Sequence, residues 1–476
     1  MQRIRSVIAG HEVSSPLPCM DKIYPGTGEV IARIEPATPE MLDDAVRKAR
    51  DAQKIWAQMA GHERSRILHR VARALAAHNE ELAHHEVRDV GKLYSEAVSG
   101  DVPSAAEAFE FFANLCATSH GTSHKWGDQI AYTMRVPLGV CAGIGAWNYP
   151  AQVACWKAAP ALAAGNAFIF KPSELTPFVA NHLSEIFRTA GLPDGLFSVL
   201  HGDHEIGEAI CRHPHIAKIS LTGGIDTGRL IMAQSAQSLK KITLELGGKA
   251  PLLVFDDCDF ELAVQTALDA NFYTAGEVCS NATRVFVQDS IKDRFITALK
   301  HRTEDLKVGD PLNPEMQMGA IISEQHLDKI LADIAAAQAE GAELLTGGRR
   351  LHPTGVEGGY YIAPAILTQC HDDMACVRNE IFGPVMSVLS FSDEDEVIRR
   401  ANDTYYGLGA GILTRDLSRA HRLADRLEAG NVWVNSYNLT PPGLPFGGSK
   451  QSGFGREGSI YAIEAYSEVK ATFIQL

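Results

Sequence analysis

Apolar and polar residues follow two alternating periods along most of the chain, and this pattern predicts strands and helices in turn. From residue 139 to residue 245, short apolar runs typical of buried strands are separated by segments whose apolar residues recur at helical spacing. Such alternation is typical of parallel βαβ units, which bind ligands at the carboxyl ends of their strands. A second alternating region extends from residue 251 to about residue 435. The pattern therefore predicts an α/β fold with two domains that face each other across a cleft.

The segments before residue 139 predict a different mixture of elements. Short strands and turns are expected up to residue 35, and a helix is expected after Thr38, a typical N-cap residue that proline follows. A second helix is predicted from residue 63 to about residue 90. His84 and His85 lie in that helix beside acidic residues, which indicates a solvated face rather than a metal site. A polar loop is predicted before a strand that begins near residue 131.

Composition and charge narrow the class of protein. The chain has 476 residues, of which 45% are hydrophobic and 21% are charged, so more than one globular core is expected. The net charge of −14 at pH 7 predicts an acidic surface that repels nucleic acids and anionic membranes. No apolar run reaches the roughly 20 residues that a membrane-spanning helix needs. The nine cysteines form no CxxC pair, which indicates a reducing compartment, the cytoplasm, and disfavours disulfides or structural zinc.

One cysteine stands where a nucleophile is expected. Cys279 lies in the stretch FYTAGEVCSNATR, between an apolar helical run and an apolar run typical of a buried strand, so the intervening turn could project its thiol into a cleft. Glu245 stands in LELGGK, directly before paired glycines that let another backbone approach closely. A thiol and a carboxylate could therefore meet across the cleft. Taken alone, a cysteine is more often a small buried apolar residue and a glutamate is more often solvated.

The two stretches belong to a larger set of motifs. They occur with AWNYPAQVACWKAAPALAAGNAFIFKPSE from Ala146, LTGG from Leu221 and EIFGPV from Glu380. In this order the motifs resemble those of the aldehyde dehydrogenase superfamily over nearly the whole chain. The resemblance implies that family's fold, with two Rossmann-like α/β domains and a β-strand oligomerisation element, and the NAD-dependent oxidation of an aldehyde to a carboxylic acid.

The resemblance also implies a division of the chain. Residues 1–118 and 138–245 match the NAD-binding domain, and residues 246–446 match the catalytic domain. Residues 119–137 and 463–476 match the oligomerisation element, through which members of the family form homodimers or homotetramers. A non-catalytic scaffold protein on this fold is an alternative, although the catalytic motifs disfavour it.

The resemblance assigns three catalytic roles. Cys279, as thiolate, attacks the aldehyde to form a thiohemiacetal, and the Asn148 amide with the Cys279 backbone N–H holds the oxyanion. Loss of hydride leaves a thioester, and Glu245 activates water to hydrolyse it. The chain departs from the family at Ala146, where proline is usual and whose loss could loosen the turn that carries Asn148. It also departs at Glu277, where glutamine is common. If the Glu277 carboxylate points into the cleft, it would raise the pKa of the Cys279 thiol or favour a cationic substrate. If it points outward, it would have little effect.

A dinucleotide needs backbone amides at a helix N-terminus and an acidic group for a ribose diol. The chain lacks GxGxxG, but the stretch from Thr222 to Gly228 follows a predicted strand and opens a predicted helix. The family uses this variant loop, and the Glu174 carboxylate would repel a 2′-phosphate, so NAD is expected, with NADP as a poorer cofactor. The cofactor residues that the resemblance implies are Trp147, Lys171, Glu174, Gly223, Gly224, Gly228, Glu380 and Phe382.

Aromatic residues indicate the substrate class. Tyr149 and Trp156 lie seven residues apart on one predicted helical face, and Tyr273 and Phe446 are candidates for the opposite walls. Such a box holds quaternary ammonium groups by cation–π attraction. The four positions match the betaine-aldehyde and aminoaldehyde branch of the family, in which an acid matching Asp101 lies at the mouth of the substrate tunnel.

The leading hypothesis is the oxidation of betaine aldehyde to glycine betaine. A longer ω-aminoaldehyde, such as 4-trimethylaminobutyraldehyde, is the next hypothesis, and an apolar tunnel for neutral aldehydes is a third. Lys450 and Gly453 match positions near a potassium site between subunits in some family members, so potassium is a further candidate ligand. No other metal is expected.

Overall fold

The computed structural model describes residues 1–118 and 121–475. Residues 119, 120 and 476, at the ends of the two segments predicted to form the oligomerisation element, lie outside the described residues. No helix in the described ranges is long and apolar enough to cross a bilayer. The strands are β1 (Gln2–Ile4), β2 (Ser6–Ile8), β3 (His11–Val13), β4 (Met20–Tyr24), β5 (Glu29–Ile34), β6 (Ser123–Trp126), β7 (Gln129–Pro137), β8 (Val140–Ile144), β9 (Ala167–Lys171), β10 (Phe197–Val199), β11 (Lys218–Thr222), β12 (Lys241–Glu245), β13 (Pro251–Val254), β14 (Arg284–Gln288), β15 (Glu343–Thr346), β16 (Arg350–Leu351), β17 (Tyr361–Ile362), β18 (Ala365–Thr368), β19 (Val385–Phe391), β20 (Gly409–Leu413), β21 (Asn431–Val434), β22 (Gly453–Phe454) and β23 (Ser467–Gln475).

The helices cover both faces of the main sheets or connect their strands. The α-helices are α1 (Pro39–Gln58), α2 (Gly61–Ala77), α3 (Asn79–Val90), α4 (Tyr94–Glu96), α5 (Val102–Cys116), α6 (Pro150–Ala163), α7 (Phe178–Thr189), α8 (His204–Arg212), α9 (Ile225–Ser235), α10 (Phe260–Phe272), α11 (Lys292–Glu304), α12 (Glu324–Ala339), α13 (Ala375–Arg378), α14 (Glu394–Asn402), α15 (Leu417–Arg426) and α16 (Ser459–Ala465). A π-helical turn, Ala97–Asp101, and a 3₁₀ turn, Tyr273–Gly276, lie beside the candidate site.

The first large sheet has eight strands in the order β22-β12-β11-β8-β9-β10-β2-β3. Its five central strands, β12 to β10 in that order, are parallel, as the alternating pattern predicted. In register, Ile144 pairs with Lys171 and Thr222 pairs with Glu245. The carboxyl ends of β8, β9, β11 and β12 therefore lie along one edge, and the segments that follow them carry the predicted catalytic and cofactor residues.

The second large sheet has the order β15-β18-β19-β14-β13-β20-β21, and all of its strands are parallel except β15. Each large sheet packs with its helices around its own cluster of buried apolar side chains. Two α/β units were predicted from the pattern, and the two sheets with separate cores agree with that prediction. The short strand β22 brings the chain back to the first sheet, where Gly453 pairs with Glu245.

A third sheet joins two segments that are far apart in the chain. β7 pairs antiparallel with β23 along its whole length, from Pro137 opposite Ser467 to Gln129 opposite Gln475. β6 adds to the other edge of β7, so the polar loop predicted before residue 131 is wrong for this part. Large apolar side chains of this sheet are exposed, namely Trp126, Met134, Val469, Phe473 and Ile474.

The helices of the N-terminal segment follow the predictions with two corrections. Thr38 caps α1, since its hydroxyl accepts a hydrogen bond from the Met41 N–H at 3.3 Å. The single helix predicted from residue 63 to residue 90 is wrong, because the chain breaks at His78 and forms α2 and α3. The solvated face predicted for His84 and His85 holds for the exposed His84 but not for His85, which is partly buried against α7.

Candidate active site

A cavity of about 210 Å³ lies between the two large sheets, and its wall contains the predicted nucleophile, carboxylate and amide. Cys279 follows the 3₁₀ turn after α10, where Thr274, Ala275 and Gly276 all adopt left-handed backbone conformations with φ between 49° and 74°. The Asn281 side-chain amide donates to the Gly276 carbonyl at 3.1 Å and holds this bend. The cysteine thus lies on a constrained loop, partly exposed to the cavity, as the sequence predicted.

The two glycines after Glu245 allow the parts of the site to approach each other. A Cβ atom on Gly248 would lie 2.5 Å from the Cys279 carbonyl oxygen. A Cβ atom on Gly247 would lie 1.9 Å from a carboxylate oxygen of Glu380. Real Cβ contacts are never this short, so a side chain at position 248 would clash with backbone, and one at position 247 would displace the Glu380 carboxylate. The close backbone approach predicted for this pair is confirmed at Gly248.

Asn148 is positioned for an oxyanion. It lies between β8 and α6 and is 3% exposed, and its side-chain amide donates to the Glu277 carbonyl at 2.9 Å. An amide nitrogen carries two hydrogens, so this bond leaves the second for a ligand in the cavity that Asn148 lines. The bond also ties the amide to the cysteine loop, because Glu277 is two residues before Cys279.

Glu245 ends β12 and reaches the same cavity. It is 4% exposed, and neither carboxylate oxygen has a hydrogen-bond partner within residues 1–118 and 121–475. Burial, with the Glu457 carboxylate as a second cause, raises its pKa well above the usual range. An unpaired buried carboxyl group of this kind is costly for stability, which is typical of a group kept for proton transfer.

Burial and nearby carboxylates also raise the pKa of the Cys279 thiol, as they do for Glu245. Burial, then the carboxylates of Glu380 and Glu245, raise the pKa of Cys279 to about 12. The backbone N–H groups of Cys279 and Ser280 act in the opposite direction. The thiol is therefore protonated at neutral pH in the free chain, and it must lose its proton before it can act as a nucleophile.

A buried ion pair beneath Glu245 was missed at the level of sequence. The Lys157 ammonium donates to the Glu457 carboxylate at 2.6 Å and to the Ser220 hydroxyl at 3.0 Å. Both charged residues line the cavity. Lys157 lies on α6 and Glu457 lies 300 residues further along the chain, so spacing could not have joined them. The pair sets opposing charges near Glu245, since Glu457 raises and Lys157 lowers the pKa of that carboxyl group.

The two departures from the family pattern have clear positions. Glu277 is fully buried, and its carboxylate accepts a hydrogen bond from the Ile322 N–H at 3.0 Å rather than facing the thiol. Burial raises its pKa well above the usual range. Neither predicted alternative for Glu277 describes this arrangement, because its side chain is inward but packs behind the cysteine loop. Ala146 is partly exposed in the turn before Asn148, whose amide stays tied to the cysteine loop.

The four aromatic residues predicted for substrate binding all line the cavity. The rings of Trp156 and Phe446 meet edge to face, with centroids 5.6 Å apart. The Trp156 indole N–H donates to the Ser104 hydroxyl at 3.1 Å, and the Tyr149 hydroxyl lies 3.1 Å from that of Thr274. These bonds fix ring orientation, so the walls are held in place before a ligand binds.

Asp101 lies in the cavity wall, but its surroundings differ from the prediction. It is 1% exposed at the end of the π-helical turn, and its carboxylate is paired with the buried Lys92 ammonium. The Lys92 ammonium also lies 3.8 Å from the centre of the Tyr149 ring. Asp101, predicted at the tunnel mouth, is therefore buried and paired with Lys92. The Tyr149 ring, predicted to bind a substrate cation, already contacts the Lys92 ammonium.

The predicted phosphate loop has the expected form, a strand, two glycines and a helix. Gly224 is the N-cap of α9, and a Cβ atom added to it would meet nothing within 4 Å, so the space above the helix N-terminus is open. Gly228 packs against Leu246, from which a Cβ atom would be 2.8 Å. Gly223 donates its N–H to the Glu245 carbonyl at 3.0 Å, which links this loop to the catalytic strand.

The remaining predicted cofactor residues form two groups. At the end of β9, Lys171 is buried and its ammonium lies 3.8 Å from the exposed Glu174 carboxylate. On the other side, the Glu380 carboxylate accepts from the Gly248 N–H at 3.0 Å, and burial raises its pKa to about 7. The Trp147 and Phe382 rings meet edge to face at 5.1 Å. Two carboxylates, an open helix N-terminus and an aromatic pair fit the ribose, phosphate and ring groups of a dinucleotide.

Lys450 and Gly453 contact different parts of the chain. The Lys450 ammonium contacts the Glu428 carboxylate at 2.6 Å and the Asn402 carbonyl at 2.8 Å. Gly453 instead pairs with Glu245 in the first sheet. The potassium site inferred from these two residues stays a prediction.

Known proteins are similar to this chain over nearly its whole length. The aldehyde dehydrogenase family model matches residues 13–472. A protein of Rhizobium leguminosarum bv. trifolii named betaine aldehyde dehydrogenase is 53% identical over 96% of this chain and 93% of its own length. A protein of the same name from Vibrio vulnificus is 51% identical over 95% of this chain and 94% of its own length.

Solved structures with the same overall fold include complexes. The crystal structure of a betaine aldehyde dehydrogenase from Staphylococcus aureus in complex with NAD⁺, a point mutant, is 36% identical, with a TM-score of 0.97 over 100% of this chain and 98% of that one. An NAD⁺ complex of an aldehyde dehydrogenase from Bacillus cereus is also 36% identical, with a TM-score of 0.97 over 100% of this chain and 97% of that one.

Proposed function

The chain belongs to the aldehyde dehydrogenase family, and on that premise we propose that it oxidises betaine aldehyde to glycine betaine with NAD. The observation that supports this most directly is the meeting of a cysteine, a buried carboxylate and an amide, Cys279, Glu245 and Asn148, on one cavity with aromatic walls. The relatives at 51–53% identity carry the name betaine aldehyde dehydrogenase. A non-catalytic scaffold would have no use for a carboxylate with two unpaired buried oxygens.

In the first step, the Cys279 sulfur adds to the carbonyl carbon of the aldehyde and forms a thiohemiacetal. The pKa of about 12 means that the thiol must first lose its proton, which passes to solvent because Cys279 is partly exposed to the cavity. The oxygen that becomes negative is stabilised by the free hydrogen of the Asn148 amide and the Cys279 backbone N–H. Both donors are fixed before reaction, since Asn148 is bonded to the cysteine loop.

In the second step, the oxyanion re-forms a carbonyl group and the C–H bond breaks, which leaves a thioester on Cys279. NAD, when bound, supplies the acceptor for the hydride. Glu245 then takes a proton from water, and the resulting hydroxide attacks the thioester carbon. The C–S bond breaks, the Cys279 thiolate leaves, and the proton held by Glu245 passes to it, which restores the thiol and the carboxylate. The sum is aldehyde, NAD⁺ and water giving the carboxylic acid, NADH and a proton.

Residues beside the first sheet, together with Glu380 from the second α/β unit, fit NAD. The open helix N-terminus at Gly224 would hold the pyrophosphate, and Glu174 and Glu380 would each accept from a ribose hydroxyl. Glu174 is exposed and close to Lys171, where its charge would oppose a 2′-phosphate. These contacts support NAD as the preferred cofactor and NADP as a poorer one.

The cavity walls support a quaternary ammonium substrate. Trp156, Tyr273 and Phe446 present ring faces or edges to the same space, and such surfaces attract a desolvated cation. Asp101, although paired with Lys92, adds a carboxylate to the wall. In betaine aldehyde the cation is a trimethylammonium group. This group cannot donate hydrogen bonds, so its recognition depends on contacts with aromatic rings.

Domain division and assembly are part of the same proposal. In this division, residues 1–118 and 138–245 form the NAD-binding domain, residues 246–446 form the catalytic domain, and residues 119–137 and 463–476 form the oligomerisation element. The sheets support it, because all strands of the first sheet but β22 lie in the first two ranges, the second sheet lies in the third range, and β6, β7 and β23 lie in the last two. The apolar side chains exposed on the third sheet support its role in forming a homodimer or homotetramer. All nine cysteines are free thiols, which supports a reducing location, the cytoplasm.

The proposal is tested by replacing Cys279 with alanine. We expect NADH formation from betaine aldehyde to be abolished, because no other group can form the thioester. NAD binding, followed by quenching of protein fluorescence, should be retained. Cys258→Ala is a matched control, since Cys258 is a buried thiol that packs in the core of the second sheet. Substantial turnover by the Cys279 variant would contradict the proposal.

A further inference from the structure

Two histidines and a glutamate meet on a side of the first sheet that the proposed reaction does not use. Glu81 and His85 are one turn apart on α3, so their side chains lie on the same face of that helix. His182 projects from α7, which packs against α3. One ligand atom from each of the three residues lies within 4.8 Å of the other two.

The nitrogens that face this cluster are free for coordination. The Nδ1 atom of His85 and the Nε2 atom of His182 are both buried, and neither has a hydrogen-bond partner in the part of the chain that the structure describes. The His85 and His182 rings are 4.9 Å apart between centroids. Buried ring nitrogens are normally satisfied, so two orphaned ones on neighbouring rings of one cluster indicate a missing partner.

The one resolved spacing fits a metal site as well as an ion pair, and the unpartnered His85 nitrogen favours the metal. The Glu81 carboxylate lies 3.3 Å from His182 Nε2. Tetrahedral coordination with bonds of about 2.0–2.1 Å places neighbouring ligand atoms roughly 3.3 Å apart. An ion pair between Glu81 and a protonated His182 would satisfy one nitrogen but leave His85 without a partner. A metal ion satisfies all three groups and leaves one position for water.

We propose that Glu81, His85 and His182 bind one divalent transition-metal ion, with zinc as the representative case. Two imidazole nitrogens and one carboxylate oxygen are ligands that zinc, nickel and copper accept, whereas calcium and magnesium prefer oxygen alone. Glu81 is 56% exposed at its side chain, which provides a path for the ion from solvent. Two arginines on the same helices, Arg88 and Arg188, oppose cation binding, and Glu80 and Glu185 offset their charge.

The ion would link two helices that support the proposed NAD-binding region. The Asp89 carboxylate of α3 already accepts from the N–H groups of Phe178 and Val179, at 3.2 and 3.0 Å, in the first turn of α7. A metal ion held by His85, one turn before Asp89 on α3, and by His182, one turn after Phe178 on α7, would add a second connection between the two helices. None of the three ligand residues is among the described residues that line the catalytic cavity. We therefore expect the ion to stabilise the fold and to leave the reaction chemistry unchanged.

The test is a zinc titration of the full chain after treatment with EDTA. The wild type should bind one more zinc equivalent than His182→Asn and Glu81→Gln, and zinc should raise its melting temperature but not theirs. His84→Asn is the matched control, because His84 is a neighbouring histidine on α3 that stacks on Tyr94 outside the cluster. It should behave as the wild type. Glu81→Gln replaces an exposed side chain, so this variant is expected to fold.

A titration with cobalt in place of zinc distinguishes binding at this site from binding at the free cysteines. The cobalt equivalent that is lost in the two variants should show visible ligand-field bands without the near-ultraviolet charge-transfer bands of thiolate ligands. Equal zinc stoichiometry in wild type, His182→Asn and Glu81→Gln would overturn the proposal. Thiolate bands on every bound cobalt would do the same. Loss of the extra equivalent in His84→Asn would also contradict it, because that variant leaves all three ligands in place.

Discussion

At the scale of single residues, the site depends on the Glu245 carboxyl group, which is buried without a hydrogen-bond partner among the described residues. Glu245 has two buried oxygens that lack hydrogen bonds within the described ranges, and its pKa is raised by burial and by Glu457. Water that enters the cavity is the natural partner for such a group. A base with a raised pKa also holds a proton better in the transition state, which favours proton transfer from water.

Replacing Glu245 with glutamine should separate the two halves of the reaction. The first NADH should still form, because sulfur addition and hydride loss need Cys279 and Asn148, whereas hydrolysis of the thioester loses its base. We expect a burst of NADH near one per chain, then a steady-state rate lower by about 10²-fold or more. Rapid-mixing absorbance measures both phases. A variant with the wild-type steady-state rate would show that another group activates water.

Sequence alone identified these residues but not their surroundings. Cys279, Glu245 and Asn148 were predicted from motifs, and the structure brings all three to one cavity. The buried pair of Lys157 and Glu457 was not predicted, because contacts between distant segments depend on how two domains close. The pairing of Asp101 with Lys92 was missed for a related reason, since the π-helical turn that aims Asp101 inward has no signal in the sequence.

At the scale of elements, the connection from β12 to β13 controls how closely three parts of the site approach. Gly247 and Gly248 admit the Glu380 carboxylate and the cysteine loop, respectively. The Gly248 N–H also donates to Glu380 at 3.0 Å. This short connection therefore positions a proposed ribose ligand and the nucleophile together.

The substitution Gly247→Ala should disturb cofactor binding first. Its Cβ would lie 1.9 Å from a Glu380 oxygen, so that side chain must move away from the Gly248 N–H that positions it. The proposed charged hydrogen bond from Glu380 to a ribose hydroxyl is then lost, which corresponds to about tenfold or more in affinity for NAD. We expect a higher KM for NAD and a smaller change in kcat at saturating NAD. Gly443→Ala is the control, because its Cβ would be 3.7 Å from the nearest side chain. An unchanged KM for NAD would remove Glu380 from the proposed cofactor site.

The elements themselves were largely predictable from the pattern. The parallel strands β8 to β12 and the helices between them have apolar runs and helical periods that periodicity detects. β6 was predicted as a loop because its side chains are exposed and polar, and it is a strand only because it pairs with β7. The break between α2 and α3 was missed because His78 is neither glycine nor proline.

At the scale of the whole molecule, the third sheet leaves several large apolar side chains uncovered in a single chain. β23 lies at its edge, and Val469 and Phe473 are 61% and 60% exposed. An edge strand with exposed apolar side chains is a site for pairing with another chain. We expect this surface to be covered in the proposed dimer or tetramer.

Replacing Val469 and Phe473 together with lysine should weaken that assembly. Charges on the proposed interface would have to be desolvated on association, so light scattering should report a smaller particle than for the wild type. Leu417→Lys is the control, because Leu417 is 73% exposed on α15, far along the chain from both segments of the sheet. A double variant with the wild-type mass would place the interface elsewhere.

The central claim is that a quaternary ammonium group is recognised by the aromatic walls. The most direct measurement compares kcat/KM for betaine aldehyde with that for 3,3-dimethylbutanal, which has nearly the same shape but no charge. Cation–π attraction of about 1–2 kcal/mol predicts a preference of roughly 5- to 30-fold for the cation. Trp156→Leu should reduce this preference more than Tyr149→Leu, because Lys92 already lies over the Tyr149 ring. Equal or better turnover of the neutral aldehyde would contradict the account, and faster turnover of 4-trimethylaminobutyraldehyde would transfer the proposal to the longer substrate.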